Sequence, residues 1–353
     1  MTSARVLLFE DDTDAFTKLS ASLSPLLARV DAILDRYVGE ADGRADEAVE
    51  AAITKAPAAS VIVLDWDLSK YQRSAISRQL VRGAAEELYV PVCTYTSPTG
   101  DHGALQQLMK WQDSVIALDS SDDYDGIAHR CAAIASGFLQ LERSRPSGAH
   151  AKGKLSRWIV DVLSAPAAAQ SQVAEYAIAN LQQLLQVADV KSADRGRLVT
   201  TVVGYWIHNQ LLQFPGVLVN ATAAASYLDI AVSEFEAAEV RKVFDSARYS
   251  GPFADVADYW WLAGLDDVSA RAMQAEDTAL LTGREAAERA IARGIGRVRC
   301  YAGHEGAGYY CLITKAPVCE EHSVRPGTWL PIGADRSRIE KNKHEELSPW
   351  LVD

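Results

Sequence analysis

The first part of the chain alternates continuous apolar runs with stretches of helical periodicity. The runs RVLLF at 5–9, residues 32–38, SVIVL at 60–64, VPVCTY at 90–95 and SVIAL at 114–118 predict five strands. Between and after them, residues 14–32, 45–55, 74–88, 102–112 and 124–143 predict five helices. The first helix carries Phe16, Leu19, Leu23, Leu26 and Leu27 at helical spacing, and the last places Ile127, Cys131, Ile134, Phe138 and Leu141 on one face. Apolar runs that do not alternate with polar residues mean strands buried on both sides, as in a parallel sheet covered by helices on each face. In such a sheet the functional groups gather at the carboxyl ends of the strands.

Past residue 143 the pattern changes. SRPSGAHAKGK at 144–154 reads as a linker. Residues 155–213 are helical, with one stripe formed by Val173, Ala177, Leu181, Leu184 and Leu185 and another by Leu198, Val202, Tyr205 and Leu212. Phe214-Pro215-Gly216 and Ser250-Gly251-Pro252 interrupt the helical pattern, which otherwise continues to 293. The remainder is rich in Gly, aromatic residues, Cys and turn formers. The predicted organisation is an α/β domain at 1–143, a linker at 144–154, a mainly helical domain at 155–295 and a small β-rich subdomain at 296–353.

Composition narrows the function classes. The formal net charge of -12 over 353 residues repels phosphate backbones and disfavours a dedicated nucleic-acid binder, without removing a local basic face. No apolar stretch is long enough for a bilayer, and Met1 leads into a charged strand without a leader-type apolar segment, so a cytoplasmic location and no membrane partner are expected. In that compartment the five cysteines are expected to be reduced thiols or metal ligands.

Glu10, Asp11 and Asp65 end the first and third predicted strands. If those strands are neighbours, three carboxylates converge, and a hard divalent ion such as Mg2+ suits an oxygen-only site of that kind. The stretches RVLLFEDD, SVIVLDWDLS, VPVCTYTS and SVIALDSS resemble the response-regulator receiver domain. That resemblance covers about the first 143 residues and implies a flavodoxin-like, doubly wound five-stranded parallel sheet. It also implies an acidic Mg2+ pair at Glu10 and Asp11, a phospho-accepting Asp65, a metal-binding backbone carbonyl at Asp67 and a switch hydroxyl at Thr96. The chain departs from the receiver pattern at the end of the fifth strand. The lysine that pairs with the phosphoryl group falls on Leu118, with Asp119 after it.

Two functional readings follow. In one, a degenerate receiver serves as a protein-interaction platform for a helical output domain in a signalling or defence system. In the other, a working response regulator is phosphorylated on Asp65 with Mg2+ by a partner sensor kinase and switches a C-terminal output, DNA binding being one form it could take. Receivers also use the surface formed by their fourth and fifth helices and fifth strand for partner or homodimer contacts. Neither reading makes the chain an enzyme beyond self-phosphotransfer. There is no phosphate-binding Gly loop, nucleophile elbow or H-E-x-x-H.

In the middle region, AAASYLDIAVSEF at 223–235 has a weak helix-turn-helix pattern, yet its second helix begins with acids rather than base-reading donors. Arg284, Arg289, Arg293, Arg297 and Arg299 form a basic series among Glu285 and Glu288. Near the end, Cys300, Cys311, Cys319 and His322 suggest a zinc site, with Cys300 and Cys311 facing each other across a hairpin. The alternative is a small β-rich subdomain with reduced thiols. His304 lies between the first two cysteines.

Overall fold

A computed structural model describes residues 3–39, 44–74, 76–95, 115–118, 123–149, 153–186, 194–274, 282–327 and 330–347. The first part is β1 (Ala4–Phe9), α1 (Thr13–Ala28), β2 (Ala32–Arg36), α2 (Ala45–Thr54), β3 (Ala59–Asp65), α3 (Arg78–Glu87), β4 (Val92–Tyr95), β5 (Ile116–Ala117) and α4 (Tyr124–Ser144). The five strands form one all-parallel sheet in the order β2-β1-β3-β4-β5. The predicted helix at 102–112 lies outside the described residues.

The alternation of side chains along each strand explains the apolar runs. Val6, Leu8, Val61 and Val63 enter a core with Leu19, Leu23 and Leu27 of α1 and Ile127, Cys131 and Ile134 of α4. Leu7, Phe9, Ile62 and Leu64 point the other way, toward Val49 and Ile53 of α2 and Val81 and Ala85 of α3. Both sheet faces are therefore covered, and a polar residue within these runs would lose its hydration.

Next come α5 (Lys154–Val162), α6 (Gln170–Gln186) and α7 (Arg195–Tyr205), which runs into a π-helical turn at Trp206–Leu211. They do not stand apart from the sheet. One apolar cluster runs from Val6 and Leu8 through α4 to Trp158, Val173, Val203 and Ile207. Two glycines permit the closest approaches in it. A Cβ on Gly204 would sit 2.2 Å from the Phe138 ring, and one on Gly137 would sit 2.3 Å from the Phe253 ring. Polar contacts reinforce the seam: Thr201 donates to the Tyr89 carbonyl at 2.7 Å, the Val92 N–H donates to the Tyr205 hydroxyl at 2.7 Å, and Asn209 donates to the Val115 carbonyl at 3.0 Å. These contacts tie the helical segment to the amino ends of β4 and β5. The segment at 144–154, predicted as a linker, is held at its start by the Trp158 indole donating to Ser144 at 3.1 Å.

The last part comprises β6 (Leu218–Asn220), α8 (Ala221–Leu228), α9 (Val232–Phe235), α10 (Ala238–Val243), β7 (Tyr259–Trp261), α11 (Leu262–Gln274), α12 (Gly283–Ile291), β8 (Tyr309–Cys311), β9 (Pro317–Val318), β10 (Ser323–Val324), β11 (Ser337–Glu340) and α13 (Lys341–Leu347). β6 and β7 pair with each other, and the other four form a small mixed sheet in the order β10-β11-β8-β9. Trp260 is buried against Phe235, which places the aromatic run of β7 in the core. After α8 the chain turns at Asp229 in the left-handed conformation, but α9 has only four residues. The arginine series is engaged with acids: Arg284 with Glu288, Arg293 with Glu234 and Glu239, Arg297 with Asp229 and Glu305, and Arg299 with Glu305. Among the described residues no helix is long and apolar enough to cross a membrane.

Candidate functional site

β1 and β3 are parallel neighbours, so the residues at their carboxyl ends meet at one edge of the sheet. Glu10 follows β1 and Asp65 closes β3. Together with Asp11 they bring carboxylate oxygens within 4.8 Å of one another. Glu10 and Asp65 are only 2% and 7% exposed. Acids this close in a pocket of low polarity resist ionising together. Burial, then the charge of Glu10, push Asp65 up to about 7, and the amides of Trp66 and Asp67 pull only partly against that rise. Burial also raises Glu10, opposed by the Tyr95 hydroxyl and the Asp12 amide.

The hydrogen bonds show what holds the acids in place. Tyr95, at the end of β4, donates to Glu10 Oε2 at 2.5 Å, and the Asp12 N–H donates to Glu10 Oε1 at 2.7 Å. The Asp11 carboxylate accepts the backbone N–H groups of Lys70 and Tyr71, which pins the loop after β3 over the end of β1. Asp12 caps α1 by accepting from the Asp14 and Ala15 amides. It also pairs with the Lys70 ammonium, and that bond, with the cap amides, holds its carboxyl down to about 2. Arg36 donates to the Glu10 carbonyl at 3.1 Å, beside the Tyr71 hydroxyl at the same distance.

The other residues picked from the sequence are less central. The Asp67 side chain turns back on its own loop, accepting the Ser69 N–H at 2.9 Å. Trp66 is half exposed, with the Arg78 guanidinium 3.4 Å above its ring. Thr96 and Asp119 lie outside the described residues. Leu118, at the position where a receiver has its lysine, is buried in the core on the α1 and α4 side. Tyr95 and Lys70 join the site from outside the sequence pattern. Tyr95 reads as an apolar strand residue, and only its hydroxyl reaches the acids. Lys70 comes from a loop whose path the sequence does not reveal.

A second group of polar side chains lies in the small β-rich part. Cys300, Cys319 and His322 bring ligand atoms within 4.8 Å of one another, and so do His304, Glu321 and His322. His322 Nδ1 lies 3.1 Å from Cys319 Sγ and 3.8 Å from Cys300 Sγ. Cys311 belongs to neither group. It is buried at the end of β8, where its sulfur accepts the Glu340 N–H at 3.4 Å. The hairpin expected to bring Cys300 and Cys311 together is not formed. The chain instead turns tightly after Cys300, whose N–H donates to the His304 carbonyl at 2.9 Å, and β8 pairs with β9 and β11. The cause lies in Gly303, Gly306 and Gly308, all with positive φ, which bend the segment before it can extend as a strand.

No family model matches the chain, and a search of curated proteins finds no match.

Proposed function

We propose that residues 1–143 are a receiver-like domain of flavodoxin-like architecture that has lost phosphotransfer and acts as a protein-interaction platform, with the helical region as its output. The observation that carries this reading is the pairing of retained and missing parts at one sheet edge. Glu10, Asp11 and Asp65 hold their carboxylates together, while Leu118 is buried in the core where a phosphoryl-binding lysine is needed. The helical region supports the second half of the proposal, since it shares an apolar cluster with α4. A change at the sheet would reach those helices through packed side chains.

The donor set fits Mg2+. It is oxygen-only, and two of its acids are buried side by side, so a divalent ion would neutralise a repulsion that the fold imposes. Glu10, Asp11 and Asp65 would hold the ion, with the Asp67 carbonyl as the further ligand that the receiver resemblance supplies. A bound ion would screen negative charge at the strand ends. The protein's own part is to fix the acids, through Tyr95 on Glu10 and the Lys70 and Tyr71 amides on Asp11.

The converging acids also favour a second reading, a working response regulator phosphorylated on Asp65 by a sensor kinase. Titration calorimetry with Mg2+, followed by beryllofluoride, separates the two. The platform reading expects saturable Mg2+ binding that Asp65→Asn abolishes, and no further heat or Trp66 fluorescence change with beryllofluoride. An Asp65-dependent beryllofluoride response would overturn it in favour of phosphotransfer, and absence of Mg2+ binding would remove the metal from both readings.

A further inference from the structure

We infer that Cys300, His304, Cys319 and His322 form a structural zinc site, built from two tight turns and independent of the acidic edge of the sheet. The ligand set differs from the one the cysteine pattern suggests: His304 takes the place of Cys311.

Each turn contributes one sulfur and one imidazole. The first is a C-x3-H turn, closed by the Cys300 N–H to the His304 carbonyl at 2.9 Å and the Gly303 N–H to the Cys300 carbonyl at 2.9 Å. The second is a C-x2-H turn, in which Ser323 donates its hydroxyl to the Cys319 carbonyl at 2.7 Å.

The distances suit zinc. Zn–S bonds of about 2.3 Å and Zn–N bonds of about 2.0–2.1 Å in a tetrahedron require sulfur-to-nitrogen edges of about 3.6 Å. The two observed sulfur-to-His322 distances, 3.1 and 3.8 Å, bracket that value. Two thiolates with two imidazoles are a ligand set for zinc rather than for Mg2+ or Ca2+.

His304 completes the set from the exposed side. Its ring centroid is 4.3 Å from that of His322, and its Nδ1 pairs with Glu321 at 3.4 Å. A carboxylate on one ring nitrogen orients the other as a ligand, the usual arrangement around histidines that bind zinc. The proposed site requires this half-exposed side chain to turn its Nε2 toward the two sulfurs and His322.

The surroundings explain why an ion would be needed. Among the described residues, the apolar cluster under the two turns consists of Val298, Cys300, Ala307 and Cys319, while Tyr310 and Leu312 pack into a larger core with Phe235 and Trp260, and the nearby strands β9 and β10 have two residues each. A core that small cannot offset the entropy of ordering its turns, whereas a structural zinc ion can. The segment is tied to α8 through Ser226, which donates to the Tyr309 carbonyl at 2.7 Å and accepts the Gly308 N–H at 3.2 Å. The site thus fixes how the turns dock on that helix.

The test is metal analysis of the untagged full chain, purified without chelator. About one zinc ion per chain is expected, together with a four-coordinate, thiolate-containing spectrum when Co2+ replaces it. His304→Ala should weaken zinc binding by more than the roughly 10–100-fold typical of losing an outer partner. Glu321→Ala should weaken it only within that range. Ligand variants that fail to fold leave the Co2+ spectrum of the native chain as the deciding measurement. Absence of zinc after reconstitution of the reduced chain overturns the proposal. So does a denatured thiol count two below the five free cysteines, which would mean a Cys300–Cys319 disulfide.

Discussion

The acidic edge of the sheet and the Cys/His turns each gather side chains that suit a metal, but they stand in opposite relations to the fold. Glu10 and Asp65 close long strands whose apolar residues are buried on both faces, so the core forces the acids together. Their repulsion is a cost the sheet absorbs. The Cys/His group sits on a cluster of four small residues joined by very short strands. There the ligands would hold the chain, rather than the chain holding the ligands. An ion at the first site would relieve repulsion in a sheet that has its own core. An ion at the second would be part of what folds.

Removing metal gives the largest expected difference between the two. Zinc extraction should release the amides of the two turns, 298–306 and 319–323, to rapid hydrogen exchange, while those of β1 and β3 keep their protection. The loss is local because the sheet has its own core. Protection that falls equally in the sheet would show that the two regions fold as one cooperative unit and break the contrast.

The next effect belongs to the acidic edge. Asp65 has its carboxyl raised to about 7 in the fold, against an ordinary value of 3.8. An acid with a raised folded-state value binds more protons when folded, so its contribution is fully present below about pH 4 and is lost as the pH climbs to about 7. That corresponds to a destabilisation on the order of 4 kcal/mol above pH 7. Asp65→Asn should remove most of this slope and be more stable than the native chain at pH 8 in Mg2+-free buffer. Urea midpoints from pH 5 to 8 measure it. A variant less stable than the native chain at pH 8 would mean that the acids are already compensated.

A smaller effect separates position from charge. Tyr95→Phe removes the hydroxyl that bonds buried Glu10 and should cost about 1.5–3 kcal/mol, the range for a hydrogen bond to a charged group. It should also push the Glu10 carboxyl further up, because that bond holds it down. Denaturation with carboxyl titration by NMR checks both, and an unchanged midpoint would show that the hydroxyl is not what positions Glu10.

How much of this the sequence carries depends on what sets each contact. The sheet is legible because burial on both faces leaves uninterrupted runs such as SVIVL, and parallel topology then puts Asp65 beside Glu10. The Tyr95 hydroxyl is not legible, since the same ring belongs to the core. Nor is the attachment of 154–212 to the sheet. A Pro/Gly/Ser-rich stretch reads as a linker, while the contacts of Thr201, Tyr205 and Asn209 with β4 and β5 join residues some hundred positions apart. The Cys/His turns are legible in residue type but not in pairing, because the three left-handed glycines, not strand symmetry, decide which residues meet.

The smallest predicted effect tests that pairing directly. Cys311 is as buried as the other two cysteines of the region, so burial does not separate a ligand from a core residue. Its surroundings do: its sulfur accepts the Glu340 amide within the sheet, a bond that a serine hydroxyl can also accept. Cys311→Ser should therefore keep the zinc, with a stability loss of about 1 kcal/mol for placing a hydroxyl in an apolar position. Cys300→Ser, a change of the same atoms eleven residues earlier, should lose the zinc and the protection of the two turns with it. If the two variants instead lose zinc alike, Cys311 is a ligand, the turn at 300–308 rearranges on metal binding, and His304 returns to the surface.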